Sequence, residues 1–190
     1  MLARQDYPSR QTFCRCGRMH FFATRISPVR VIHAASLVLL VSLAGCGTNS
    51  VSPAISGNPG VQTGIGPDGY PTLISLTINK PTIAGAKVRA ACARSQMNDL
   101  EGAPVISGTS VQASAKSSFY FSPAGISKPF RYSLLISGES QTAYKFDRLH
   151  YINDGSQGGQ IKASSYWSPE YVVQELESIA DRIDGCVSSR

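Results

Sequence analysis

Two hydrophobic periods alternate along the chain. Towards its end Val172, Leu176, Ile179 and Ile183 recur at steps of four, three and four, with Val173 and Ala180 beside them. That spacing puts one apolar stripe on a helix, and the stripe must bury against a sheet or a partner. Ser168 stands where it can cap this helix, Pro169 suits its first position, and Glu170 falls in the positive first turn. Gly185 predicts the end, with Cys186 three residues beyond Ile183 and close to the buried face.

Upstream the pattern turns strand-like. Residues 72–78 are β-rich and stop at Asn79-Lys80-Pro81; 117–121 and 130–136 read as strands on either side of a Pro-Gly loop. A third run, 143–152, follows the turn at 138–141, and another, 159–164, follows the loop at 153–159. Residues 104–107 predict a further short strand. These connections are too short for crossover helices, so the strands should form an antiparallel meander. Residues 82–97 are Ala-rich, with Ile83, Ala84, Val88, Ala91 and Cys92 near helical spacing, which predicts a helix with Thr82 near its N-cap. A strand is the rival, because Ala86, Val88, Ala90 and Cys92 also alternate. The fold expected is α+β: a small antiparallel sheet of about four to five strands with one N-proximal and one C-terminal helix.

Residues 46–71 carry neither period. Gly, Pro, Ser, Asn and Thr dominate after Cys46, and Asp68 is the only charge. This composition predicts a flexible linker with an r.m.s. span of ~25–30 Å, leaving 72–190 as the globular domain. The three glycines of Gly64-Ile65-Gly66-Pro67-Asp68-Gly69 lack the Lys and the flanking strand and helix that a phosphate loop needs.

The net charge of +6 looks like a nucleic-acid signal until it is located. Arg4, Arg10, Arg15, Arg18, Arg25 and Arg30 face a single acid, Asp6, in residues 1–46, so +5 of the total belongs there and only +1 to residues 47–190. A nearly neutral domain with no recognised module argues against nucleic acid as a partner.

The basic start leads into an apolar run. Residues 31–44 hold no ionised side chain, Arg25 and Arg30 stand before them, and the run is short of the ~20 residues a membrane-crossing helix needs. Basic flank, short apolar run and small residues at its end are the parts of a secretory signal. The end reads Leu43-Ala44-Gly45-Cys46. This resembles the lipobox of bacterial lipoproteins, over roughly residues 19–47. The resemblance implies cleavage before Cys46, a thioether-linked diacylglycerol on its sulfur and a further acyl chain on its new amine. Residues 1–45 are then a signal peptide, and Met19 would start a leader of ordinary length. In that family an Asp after the Cys commonly retains the protein at the inner membrane of Gram-negative cells; Gly47 implies the outer membrane, facing the periplasm.

Cysteine usage follows from this. Cys14 and Cys16 lie in the leader and Cys46 carries lipid, which leaves Cys92 and Cys186 in a compartment where disulfides persist. A bridge between them is expected; two separately buried thiols are the alternative. His150 is the only His after the leader, and no ligand cluster surrounds either Cys, so neither a metal nor a cofactor is expected.

His150 is also the only neutral-pH base candidate, with Asp147 and Asp154 near it in sequence. No Gly-x-Ser-x-Gly elbow is present, and a lone His on a strand is more often structural. Its strand would place Tyr144, Phe146, Arg148, His150 and Ile152 on one face. The glycines of 155–159 read as a hairpin tip. Tyr166 and Trp167 adjoin the start of the last helix, and one of the pair should point outward, where exposed aromatics serve partner or sugar binding. Lys162, Arg131 and Arg148 are neighbours that suit an anionic glycan. The first expectation is a non-enzymatic, lipid-anchored envelope protein with a binding or scaffold domain of the accessory-subunit type, partnered by an envelope protein. Binding of peptidoglycan or another carbohydrate near Tyr166 and Trp167 is the alternative, and a small hydrolase using His150 the third.

Overall fold

The computed structural model describes residues 50–190. The expected leader, the start at Met19, Cys46 and Gly47 lie outside the described residues. In chain order the elements are α1 (Pro53–Ser56), β1 (Val61–Ile65), β2 (Pro71–Lys80), α2 (Ala86–Gln96), β3 (Val105–Ser107), β4 (Ser110–Phe121), β5 (Ile126–Ser137), β6 (Thr142–Asn153), β7 (Ser156–Gln160) and α3 (Pro169–Ser188). Short 3₁₀ turns span Ser122–Ala124 and Ser165–Trp167. The class is α+β as expected, with seven strands where four to five were foreseen. All pairings are antiparallel in the order β1-β2-β6-β5-β4-β3, and β7 pairs with β6.

The sheet buries one face. Val111, Ala113, Ala115, Phe119 and Phe121 of β4 alternate with exposed or half-buried residues, and Phe130, Tyr132, Leu134 and Ile136 of β5 keep the same side. Both longer helices pack there. On α3 the stripe Val172, Leu176, Ile179 and Ile183 is almost fully buried, with Val173 and Ala180. The opposite face carries Gln112 and Lys145, which are exposed, and Lys116 and Arg131, which are half-buried and ion-paired with Glu101. Leu176→Ala is therefore expected to lower stability by ~2–5 kcal/mol, read from denaturant midpoints. Lys145→Ala, on the wet face, should stay within ~0.5 kcal/mol.

The linker expected over residues 46–71 is corrected for its described part, residues 50–71. Ile55 of α1 is buried in the core, and the side-chain amide of Asn58 donates to Glu177 on α3 at 3.3 Å. β1 pairs with β2 along its whole length, and the Ser52 N–H donates to the Ala163 carbonyl at 2.8 Å. Polar composition misled because β1 is an edge strand held by backbone hydrogen bonds, which composition does not report.

Within residues 82–97 the chain is helical rather than extended over Ala86–Gln96, with Gly85 as the N-cap. Thr82 serves otherwise: its hydroxyl donates to Asp184 on α3 at 2.9 Å, and its carbonyl accepts from the Thr142 hydroxyl. Arg89 is buried on α2 and donates to the carbonyls of Gly138 at 2.8 Å and Thr109 at 3.4 Å, tying the helix to two sheet turns. Gly138 has φ +107°, and a Cβ there would stand 2.0 Å from the Gln141 carbonyl oxygen, so this turn requires glycine.

Two expectations about α3 need revision. Ser168 precedes Pro169 as foreseen, but it is in the left-handed conformation (φ +52°) and its side chain makes no capping bond. The helix also runs through Gly185 to Ser188. That extension carries Cys186 to Cys92 of α2, where the expected disulfide forms with Cα atoms 5.7 Å apart.

Candidate functional site

β4 and β6 end and β5 begins at one corner of the sheet, where the buried face runs out of aliphatic residues. Rings take over. Phe121 ends β4, Tyr151 lies near the end of β6, and the 3₁₀ turn Ser165–Trp167 folds across them. The left-handed Ser168 makes this possible by breaking the chain direction between that turn and α3. Trp167 stacks on Phe121 with centroids 5.6 Å apart and lies 6.2 Å from Tyr151. Tyr166 meets the Trp167 edge at 5.4 Å and is 57% exposed. One of the pair thus points outward, as expected, and it is Tyr166.

Lys128 occupies a core-facing register position on β5, two residues before Phe130. Its ammonium sits 4.4 Å from the Phe121 ring centre, 5.0 Å from Trp167 and 5.4 Å from Tyr151. Three ring faces hold the cation where a carboxylate would otherwise be needed.

A second cation stands beside it. Lys162 follows β7, and its ammonium is ion-paired with Asp68 and lies 5.8 Å from the Tyr70 ring centre. The hydrogen bond from Lys162 holds the Asp68 carboxyl below the usual carboxylate range. The Lys162 backbone N–H donates to the Tyr151 hydroxyl at 3.3 Å. Burial pushes the Tyr151 phenol up to about 12, so it stays protonated at neutral pH.

Two clefts meet at the Lys162–Asp68 pair. One, of about 270 Å³, is walled by Tyr70, Tyr166 and Trp167; the other, of about 410 Å³, by Lys128, Tyr151, Trp167 and the ends of β5, β6 and β7. Asp68, Lys162 and Trp167 border both. A separate cleft of about 380 Å³, between α2 and β3, has Lys87, Arg94 and Ile106 but no aromatic ring.

Sequence reasoning singled out Tyr166, Trp167 and Lys162; Arg131 and Arg148, grouped there with Lys162, border neither cleft and are ion-paired with Glu101 and Asp147. It missed Asp68, Tyr70, Lys128 and Tyr151 as members of one site. Asp68 and Tyr70 had a visible signal, being the only charge and the only aromatic in residues 47–71. Lys128 and Tyr151 converge only through the pairing register.

The other candidate residues fall elsewhere. A bulge at Arg148, whose φ is +52°, shifts the alternation of β6, so Tyr144, Phe146, Leu149 and Tyr151 share the inner side. That corrects the face proposed through Arg148, His150 and Ile152. His150 instead sits between Arg131 of β5 and Gln160 of β7, and its Nδ1 is buried without a hydrogen-bond partner. Among the described residues no hydrogen bond joins His150 to Asp147, Asp154 or a serine, and Asp147 is ion-paired with Arg148. The glycines of 155–159 are corrected too: Asp154 and Gly155 make the turn, and Ser156–Gln160 is strand β7. No protein-family model matches the chain, and no curated protein matches it in sequence.

Proposed function

We propose that this chain is a lipid-anchored lipoprotein of the bacterial envelope, facing the periplasm, whose domain works by binding. The anchor is Cys46, on the resemblance of Leu43-Ala44-Gly45-Cys46 to a lipobox, and Gly47 supports the outer membrane. The Cys92–Cys186 bridge supports an oxidising compartment. The observation that carries the binding reading is the pair of clefts meeting under Trp167. Concave, aromatic-walled sites with a few convergent polar groups suit small ligands or units of a longer one. The negative face of a ring matches the C–H face of a sugar, so a cell-wall glycan is the ligand this geometry supports best.

The test is co-sedimentation of the full chain, in detergent, with isolated peptidoglycan. Trp167→Ala is expected to weaken binding about 10- to 30-fold, the usual effect of removing a central aromatic anchor. Tyr166→Ala, a more exposed position that leaves the Trp167–Phe121 stack in place, should weaken it in the same direction without lowering Tm. Unchanged co-sedimentation in both variants removes the groove as the surface. An accessory subunit docking on an envelope protein is the second reading. It is favoured by edge strand β3, where Val105 and Ile106 stand exposed. Crosslinking from position 106 in whole membranes separates the two.

A further inference from the structure

We propose that the groove takes an acidic glycan, a sugar unit bearing a carboxylate, and that Lys128 receives that carboxylate while Trp167 and Tyr166 stack on the rings. This rests on the glycan reading above. The two cations of the groove are not equivalent. Lys162 has its charge offset by Asp68. Lys128 has no ion pair and no hydrogen-bond acceptor among the described residues, only ring faces. Ring faces attract an ammonium but accept none of its three N–H groups in the way an oxygen does.

The groove therefore holds one uncompensated positive charge, on a half-buried side chain seated among three rings. An anion bound there gains a charge-assisted hydrogen bond without the cost of ordering a mobile lysine. Position divides the roles. Lys128 borders only the larger cleft, Tyr70 and Tyr166 only the smaller, and Trp167 both. A disaccharide with one acidic and one neutral unit fits that division, the acidic unit lying by Lys128 and the neutral one against the tyrosines.

Trp167 is the only tryptophan of the chain, so its emission reports on this groove directly. The probes are the N-acetylglucosaminyl–N-acetylmuramic acid disaccharide and its methyl ester, which keeps both rings and removes the charge. Each is titrated into the full chain in detergent. The unaltered protein is expected to bind the acid at least ~10-fold more tightly than the ester, a difference of ~1.4 kcal/mol. Lys128→Gln should erase that preference and Lys128→Arg retain it, with thermal melts confirming that each variant is folded. Equal affinities for acid and ester in the unaltered protein overturn the acidic-ligand inference and leave the groove reading standing. A preference that persists in folded Lys128→Gln overturns the role of Lys128. If neither probe changes Trp167 emission, the glycan reading itself fails, and this inference with it.

Discussion

Replacing Cys46 by Ser is expected to abolish incorporation of labelled fatty acid and to leave the leader uncut, so that the protein keeps the residues before Cys46, 45 of them counted from Met1 or 27 from Met19. The effect should be near total, because a hydroxyl cannot form the thioether that licenses cleavage. Anchoring is then measured with a second variant in which Leu43-Ala44-Gly45-Cys46 is exchanged for an ordinary secretory cleavage site. Each buried methylene contributes ~0.8 kcal/mol, so losing two or three acyl chains removes far more than the marginal hold of a single chain. Among the described residues no helix is long and apolar enough to cross a membrane. On the lipoprotein proposal, the second variant should leave the membrane pellet almost completely. Mass spectrometry finding no fatty acid on Cys46 of the unaltered protein would defeat the lipoprotein proposal.

The next largest effect belongs to the disulfide. Cys92 and Cys186 are 94 residues apart in sequence, and the segment between them contains β3, β4, β5, β6, β7 and most of α3. Closing so long a loop restricts the unfolded chain by ~4–5 kcal/mol on the chain-entropy account. The double variant Cys92→Ser, Cys186→Ser avoids leaving one thiol unpaired. Its Tm is expected to fall by roughly 10–20 °C, since ~1 kcal/mol moves the midpoint of a domain this size by a few degrees. A drop under ~2 °C would show that the bridge adds little net stability to the fold.

What could be read from the sequence depended on how each element is held. α3 was legible because its stability comes from the stripe Val172, Leu176, Ile179 and Ile183, and a stripe is a property of spacing. The strands β5 and β6 were legible from their large alternating residues. β1 was not, because Gln62, Thr63 and Gly64 contribute backbone pairing rather than buried side chains. The first half of β4 was missed for a related reason: its inner residues include Ala113 and Ala115, small where helices pack across the sheet, so the alternation lacks contrast. The bulge at Arg148 left one trace, a step of three from Phe146 to Leu149 where a strand steps by two.

The candidate groove divides in the same way. Tyr166 and Trp167 stood out by their residue type and their place before a helix. Asp68 and Tyr70 were hidden by a composition that read as tether, and Lys128 by a strand expected to start only at Phe130, where β5 begins at Ile126. A lysine on the inner side of a strand conflicts with burial as a rule, and such conflicts are where functional sites are expected.

Ser52 is buried and bonded to Ala163, so only residues 47–51 separate the acylated sulfur of the proposal from that fixed point of the folded body. Fully stretched, so short a leash covers no more than roughly 20 Å. On the proposed anchoring and ligand, clearance from the bilayer would be governed by the thickness of the folded body and by which side it turns towards the lipid, and a wall polymer would have to come within about that body's own diameter of the headgroups to be grasped.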